Sequence, residues 1–202
     1  MIISRTPYRI TFFGGGSDYP EWYKEFGGEV LSSTIDKYIY ISTRPLPSFF
    51  DHNYRVSYSI VEEVKLLSQI KHKVVKNALI SEEIKNKLEI HYDGDLPSRS
   101  GMGSSSSFSV GLIKALNEFK NIKLSKIQLA NKAIYFEQKI LKEVVGSQDQ
   151  VAAAFGGFNK ILFNKKGGIK IKKINSKYLK PLNSNLLLIY TGIQRNAEKI
   201  AK

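Results

Sequence analysis

The sequence predicts an α+β fold with a largely antiparallel sheet, on three observations. Strand-like runs at 2–13, 29–43, 54–59 and 88–92 fill most of the first half. A glycine- and serine-rich loop then opens a set of amphipathic helices. The two patterns do not alternate strictly, as a dinucleotide-binding β-α-β fold requires. The opening strand, interrupted at Thr6-Pro7, runs into Gly14-Gly15-Gly16-Ser17-Asp18. Pro20 suits a first helical position, and Gly27-Gly28 stops the short helix that follows. The β-branched and aromatic run from Glu29 to Thr43 is bounded by Arg44-Pro45-Leu46-Pro47, and Tyr54–Ser59 alternates as its antiparallel neighbour. Val74, Val75, Ala78 and Leu79 fall at helical spacing, and Leu88–Tyr92 supplies a strand that enters Asp93-Gly94-Asp95.

The stretch Pro97 to Ser107, PSRSGMGSSSS, comes next. Two glycines one residue apart let backbone N–H groups converge on an anion, and the serines stand where a helix begins. A Gly-rich turn at a helix N-terminus makes a phosphate cradle, because the first helical N–H groups have no internal partner. A Gly/Ser linker is the alternative, but Phe108, Val110, Leu112, Ile113 and Leu116 follow at helical spacing. A second helix, Leu124–Val144, opens on a Ser125 cap. Its apolar face of Ala130, Ala133, Ile134, Ile140, Leu141 and Val144 is centred on Glu137. A carboxylate there requires a cation, a donor cluster or a metal, a salt bridge to a core arginine being one solution.

Gly146 breaks that helix, and Ser147-Gln148-Asp149-Gln150 opens a short one ending at Gly156-Gly157. Asp149 is either a favourable charge at the helix start or an acid held in place by two flanking amides. Residues 158–163 and 169–174 read as a hairpin, Leu186–Tyr190 as a buried strand, and a helix follows near Arg195. The expected division is 1–182 for a domain carrying the loop and 183–202 for the start of a truncated second one.

Composition narrows the function. The 202 residues hold no eighteen-residue apolar run and no signal-peptide pattern, which predicts a cytoplasmic protein with no membrane partner. Absence of cysteine excludes disulfides, thiolate catalysis and Cys-ligated metals. His52, His72 and His91 share no ligand spacing. The formal charge of +13 predicts anionic partners, whether nucleotides, sugar phosphates or nucleic acid. The late lysines of GGIKIKKI suit the wet face of an exposed strand.

No glycine-lysine-serine of a Walker A motif follows either glycine cluster, and GMGSSS lacks the third glycine of a dinucleotide fingerprint. The remaining parts fit phosphoryl transfer to a hydroxyl. The cradle of Pro97, Ser98, Arg99, Ser100, Gly101, Met102, Gly103, Ser104, Ser105 and Ser106 holds the phosphates of ATP. A serine hydroxyl and Glu137 hold Mg²⁺, and Asp149 accepts the hydroxyl proton. Gly14, Gly15, Gly16, Ser17, Asp18 and Gln148 form the acceptor side, and Arg9 stands within reach of it.

These residues resemble the galactokinase, homoserine kinase, mevalonate kinase and phosphomevalonate kinase superfamily. Its first motif matches Pro7, Arg9, Gly14 and Asp18. Its second matches Pro97, Gly101, Met102, Gly103, Ser104, Ser105 and Ser106, with methionine in place of leucine. The resemblance implies an N-terminal kinase domain like ribosomal protein S5 domain 2, a largely missing ferredoxin-like C-terminal domain, and ATP-dependent sugar kinase activity. It further implies Ser104 and Glu137 for Mg²⁺, Asp149 as catalytic aspartate, Asp18 on the sugar and Arg9 beside the transferred phosphate. FFGGGSDYP, GSQDQVAAAFGGFN and LLLIYTGIQRNA look most like the heptose 7-phosphate kinases, which phosphorylate an anomeric hydroxyl. The third glycine-rich motif has no counterpart after Gly192, from which weak or no catalysis by these residues alone is expected. Fucose or a hexose phosphate as acceptor, a non-catalytic nucleotide- or RNA-binding fragment, and a decarboxylase remain as rivals. The buried-face Glu137 and the lack of an interleaved aromatic and basic motif count against RNA. The oligomeric state, a homo-oligomer included, stays open.

Overall fold

The computed structural model describes residues 1–192 except Asn86, Arg99, Ser176 and Tyr190; Arg99 of the loop and the helix expected near Arg195 therefore lie outside the described residues. Seven strands form one sheet: β1 (Ile2–Phe13), β2 (Gly28–Pro45), β3 (Tyr54–Ser57), β4 (Val61–Val64), β5 (Leu88–Gly94), β6 (Phe158–Phe163) and β7 (Ile169–Lys173). The long β2 organises it. One edge pairs antiparallel with β1, and the other takes β6 along residues 28–33 and β5 along 39–45. The helices are α1 (Pro20–Phe26), α2 (Lys73–Ser81), α3 (Ser104–Phe119), α4 (Lys126–Tyr135), α5 (Gln148–Phe155) and α6 (Leu179–Ser184). The apolar stripe of α3 packs on β1 and β2, and α4 and α5 close over it. The core joins Ile39 and Ile41 of β2, Leu88 and Ile90 of β5, and Leu112, Ile113 and Leu116 of α3. The expected α+β class and antiparallel sheet are what the chain adopts, β3–β5 being the parallel pair among the described strands.

Four local expectations are corrected. The break at Thr6-Pro7 is a register shift inside one continuous strand, because Pro7 lacks a ladder N–H and its carbonyl instead accepts the Ser107 hydroxyl at 2.8 Å. The strand at Tyr54 pairs with β4 and β5 and not with β2, whose edge β5 already holds. The unforeseen partner β4 places a buried Glu62 to accept the N–H groups of Lys71 and His72, at the start of α2.

The helix expected to run to Val144 ends early. Ser125 caps it as expected, but Phe136–Ile140 widens into a π turn and Lys142 sits at φ 57°, leaving Val144 48% exposed. Such a turn admits one extra residue where a side chain must be re-aimed. Finally, residues 186–189 form no strand among the described residues and lie exposed, Leu187 at 82%, because no described strand pairs with them.

Candidate active site

The site is built where the β1 bulge, the glycine loop and the start of α5 meet. Arg9 projects from β1 just past the bulge. Its backbone N–H donates to the Met102 carbonyl at 3.1 Å and its guanidinium donates to the Gly101 carbonyl at 2.9 Å. The glycine loop therefore lies on the strand and does not swing free. Gly101 (φ 77°) and Gly103 (φ 72°) hold left-handed backbone, and Gly103 serves as the N-cap of α3. A Cβ on Gly103 would press on Arg9 at 3.1 Å and on Asp149 Oδ2 at 3.3 Å, so only glycine leaves both side chains in place. Pro97 and Ser98 are exposed, as is Ser105; Ser100, Met102 and Ser104 are half-buried, and Ser106 points inward.

Asp149, second residue of α5, takes the rest of the Arg9 guanidinium. Nε and a terminal nitrogen donate to its two oxygens at 2.6 Å each, a bidentate pair whose side chains keep 15% and 23% of their surface. Burial opposes the charge on Arg9, but the Asp149 carboxylate outweighs it and holds the guanidinium above its usual range. The pairing spans 140 residues of sequence. Each Asp149 oxygen retains a second lone pair for a substrate hydroxyl.

The tripeptide Gln148-Asp149-Gln150 sends consecutive side chains to three elements, since a helix turns about 100° per residue. Gln148 accepts the Thr11 hydroxyl at 2.7 Å, donates from its amide to Asp18 Oδ1 at 3.1 Å, and gives its backbone N–H to Asp18 Oδ2 at 2.9 Å. Asp18 is 1% exposed and also accepts the Gly16 N–H at 3.1 Å. It does not cap α1, whose N-cap is Tyr19 without a side-chain bond. Burial and then the nearby Asp149 charge push its carboxyl above the usual range, partly offset by the Gln148 N–H. The carboxyl expected to face a sugar is thus turned toward the start of α5. The Ser17 hydroxyl, likewise, accepts the Glu29 N–H at 3.1 Å and donates to the Gly14 carbonyl at 2.7 Å, tying the glycine turn to β2. Gly14, Gly15 and Gly16 remain exposed beside them.

Glu137 is fully buried, where the helical stripe placed it, yet no arginine among the described residues faces it. Ser106 donates to its Oε2 at 2.9 Å, and the Gln150 amide donates to the same oxygen. Burial pushes this carboxyl up to about 7 against the opposing donors Ser109, Ser106 and Gln150. Thr11 carries no signal in the sequence and Gln150 reads only as an amide flanking Asp149, because each acquires its partner from more than ten residues away. Gly146 read only as a helix breaker, but a Cβ there would lie 2.0 Å from Asp18 Oδ2. We expect Gly146→Ala to lower stability by about 2–4 kcal/mol, because displacing a buried carboxylate strips its donors. Gly15→Ala, whose Cβ meets nothing nearer than 3.9 Å, should be close to neutral in the same urea titration.

Comparison with known proteins places the chain beside small-molecule kinases. Residues 65–157 match the GHMP kinases N terminal domain. The chain is 33% identical over 210 residues to a D-glycero-alpha-D-manno-heptose 7-phosphate kinase of Campylobacter jejuni, covering 98% of this chain and 62% of that protein. It is 27% identical over 201 residues to a galactokinase of Pyrococcus furiosus, covering 96% of this chain and 54% of the relative. A crystal structure of a D-glycero-D-manno-heptose 1-phosphate kinase from Bacteriodes thetaiotaomicron superposes with a TM-score of 0.79 at 27% identity, over 88% of this chain and 61% of that one. The chain thus spans between about half and three fifths of the length of these relatives. The matched stretch, residues 65–157, and the fold shared with the heptose kinase structure make this chain similar to the GHMP kinases N terminal domain.

Proposed function

We propose that the protein transfers the γ-phosphoryl group of ATP to the anomeric hydroxyl of a heptose 7-phosphate, in the cytoplasm. The observation that carries this reading is the Arg9–Asp149 pair, fixed between the glycine loop and the Asp18–Gln148 clasp. The loop from Pro97 to Ser106, Arg99 included, and the N-terminus of α3 hold the nucleotide phosphates. Arg9 stands over the transferred group. The sugar hydroxyl bonds an Asp149 oxygen; its oxygen attacks the γ-phosphorus, the bond to the β-bridging oxygen breaks, ADP leaves, and Asp149 takes the proton. Gly14, Gly15 and Gly16 border the acceptor, while Ser17, Asp18 and Gln148 fix the turn and the α5 start around it.

Mg²⁺ fits the donor set, because Glu137 Oε1 is a buried oxygen with no hydrogen-bond partner and serine hydroxyls stand on the adjoining turn of α3. Glu137, with Ser104 or Ser106, would hold it. Bound there, it would neutralise charge on the β- and γ-phosphates.

The choice of a phosphorylated heptose rests on the C. jejuni relative and on the net charge of +13, which favours a doubly anionic acceptor. An unphosphorylated hexose is the second reading, favoured by likeness to the P. furiosus galactokinase. A thermal-shift panel with a Mg²⁺-bound ATP analogue separates them, since a ligand at 100 times its Kd stabilises the folded state by about 2.7 kcal/mol. Heptose 7-phosphate should raise Tm more than galactose, fucose or glucose 6-phosphate; a larger rise with galactose would transfer the assignment to the hexose.

A further inference from the structure

Beneath the glycine loop lies a closed polar cell. Glu137, Gln150 and Ser109 are 0% exposed and Ser106 is 4% exposed. Two donors, Ser106 Oγ and Gln150 Nε2, converge on one carboxylate oxygen, Oε2 of Glu137. Glu137 Oε1 and Gln150 Oε1 have no hydrogen-bond partner. The Ser109 hydroxyl is near enough to favour the charged carboxylate yet makes no aligned bond. A buried acceptor left without a partner is costly, and two acceptors cannot satisfy each other. Such a pair persists where something positive completes it.

We infer that Gln150 is a positioning residue for the cation carboxylate. By clamping Oε2 of Glu137 from one side while Ser106 holds it from the other, its amide fixes the carboxylate rotamer and keeps Oε1 as the ligand oxygen. Its own carbonyl oxygen is likewise buried without a hydrogen-bond partner. Its neighbour Asp149 pairs with Arg9, so one turn of α5 sets both the proton-accepting carboxylate and the cation carboxylate. A shift of that turn would disturb both at once. This inference rests on the reading of Glu137 as the carboxylate that holds Mg²⁺.

The test measures ATP binding by calorimetry across a Mg²⁺ titration. Gln150→Met, apolar and of similar length, should raise the Mg²⁺ concentration for half-maximal tightening by 10–100-fold, the usual effect of losing a group that orients a metal ligand. ATP affinity without Mg²⁺ should stay within about twofold, and Tm of the metal-free protein should fall modestly, since Glu137 Oε2 loses one of its two donors even as an unpartnered carbonyl is removed. An unchanged Mg²⁺ dependence with a lowered Tm would make Gln150 purely structural and overturn the inference. Wild type without any Mg²⁺ dependence would overturn the reading of Glu137 itself. A variant-free measurement guards against misfolding: adding Mn²⁺ with ATP to wild type should broaden the Gln150 side-chain amide NMR signal beyond detection. A sharp, unshifted signal would exclude a cation beside it.

Discussion

Asp149→Asn should reduce kcat for sugar phosphorylation by about 10²–10⁴, the range expected when a positioned proton acceptor is lost. Affinity for Mg²⁺-bound ATP should change by less than about threefold. The substitution keeps the shape of the side chain and one carbonyl oxygen for Arg9 but removes the charge that both guanidinium bonds, at 2.6 Å, now meet. Arg9 stays tied to the Gly101 carbonyl, so its guanidinium retains one partner beside the loop. Breaking a half-buried pair also destabilises the fold, and Tm must be recorded alongside. A variant that is folded, binds ATP and turns over within about threefold of wild type would remove Asp149 from the chemistry.

A second large effect concerns Glu137 and pH. Its carboxyl is raised from 4.5 to about 7 by burial, so between those values the folded metal-free protein binds more protons than the unfolded chain. Stability from this group is therefore full below about pH 4.5 and is lost as pH rises through about 7. The interval corresponds to roughly 3 kcal/mol at about 1.4 kcal/mol per pH unit. His72, half-buried and lowered below its usual 6.5 by desolvation, opposes this over part of the range. Glu62 and Glu89 are lowered by backbone and cationic donors that outweigh their burial, and act only below 4.5. The measured quantity is accordingly the difference between wild type and Glu137→Gln in chemical denaturation from pH 5 to 8. The variant should gain relative stability by roughly 3 kcal/mol across that range, and saturating Mg²⁺ should erase most of the gain by favouring the ionised wild-type carboxylate. A difference independent of pH would mean that Glu137 is ionised throughout.

How much of this was legible in the sequence follows from the range of each interaction. Local signals held. The Ser125 cap, the β6–β7 hairpin, the α3 stripe and the glycine stop of α1 all depend on residues within a turn or two of one another. The α4 stripe likewise predicted the burial of Glu137. Local pattern was silent where a distant partner decides the outcome. Tyr54–Ser57 alternates equally well against β2 or β5, and only the occupied β2 edge chooses between them. Asp18 after three glycines suits a sugar contact or a cap, yet the α5 start claims it from 130 residues away. The serine run offered four hydroxyls, and the packing of α3 turns Ser106 toward Glu137. Leu186–Ile189 is apolar enough for a buried strand, but no described strand takes it.

In the proposed function the glycine loop, Arg9–Asp149 and Glu137 form one phosphoryl-transfer site for a phosphorylated heptose. End-point ³¹P NMR after prolonged incubation with ATP, Mg²⁺ and D-glycero-D-manno-heptose 7-phosphate tests it most directly, because slow turnover still accumulates product. A second sugar phosphate ester coupled to the anomeric proton should appear, absent without Mg²⁺ and strongly diminished in Asp149→Asn. Galactose supplied under the same conditions should yield far less ester. Production of galactose phosphate with the heptose left untouched, or an ester formed equally well by Asp149→Asn, would contradict it.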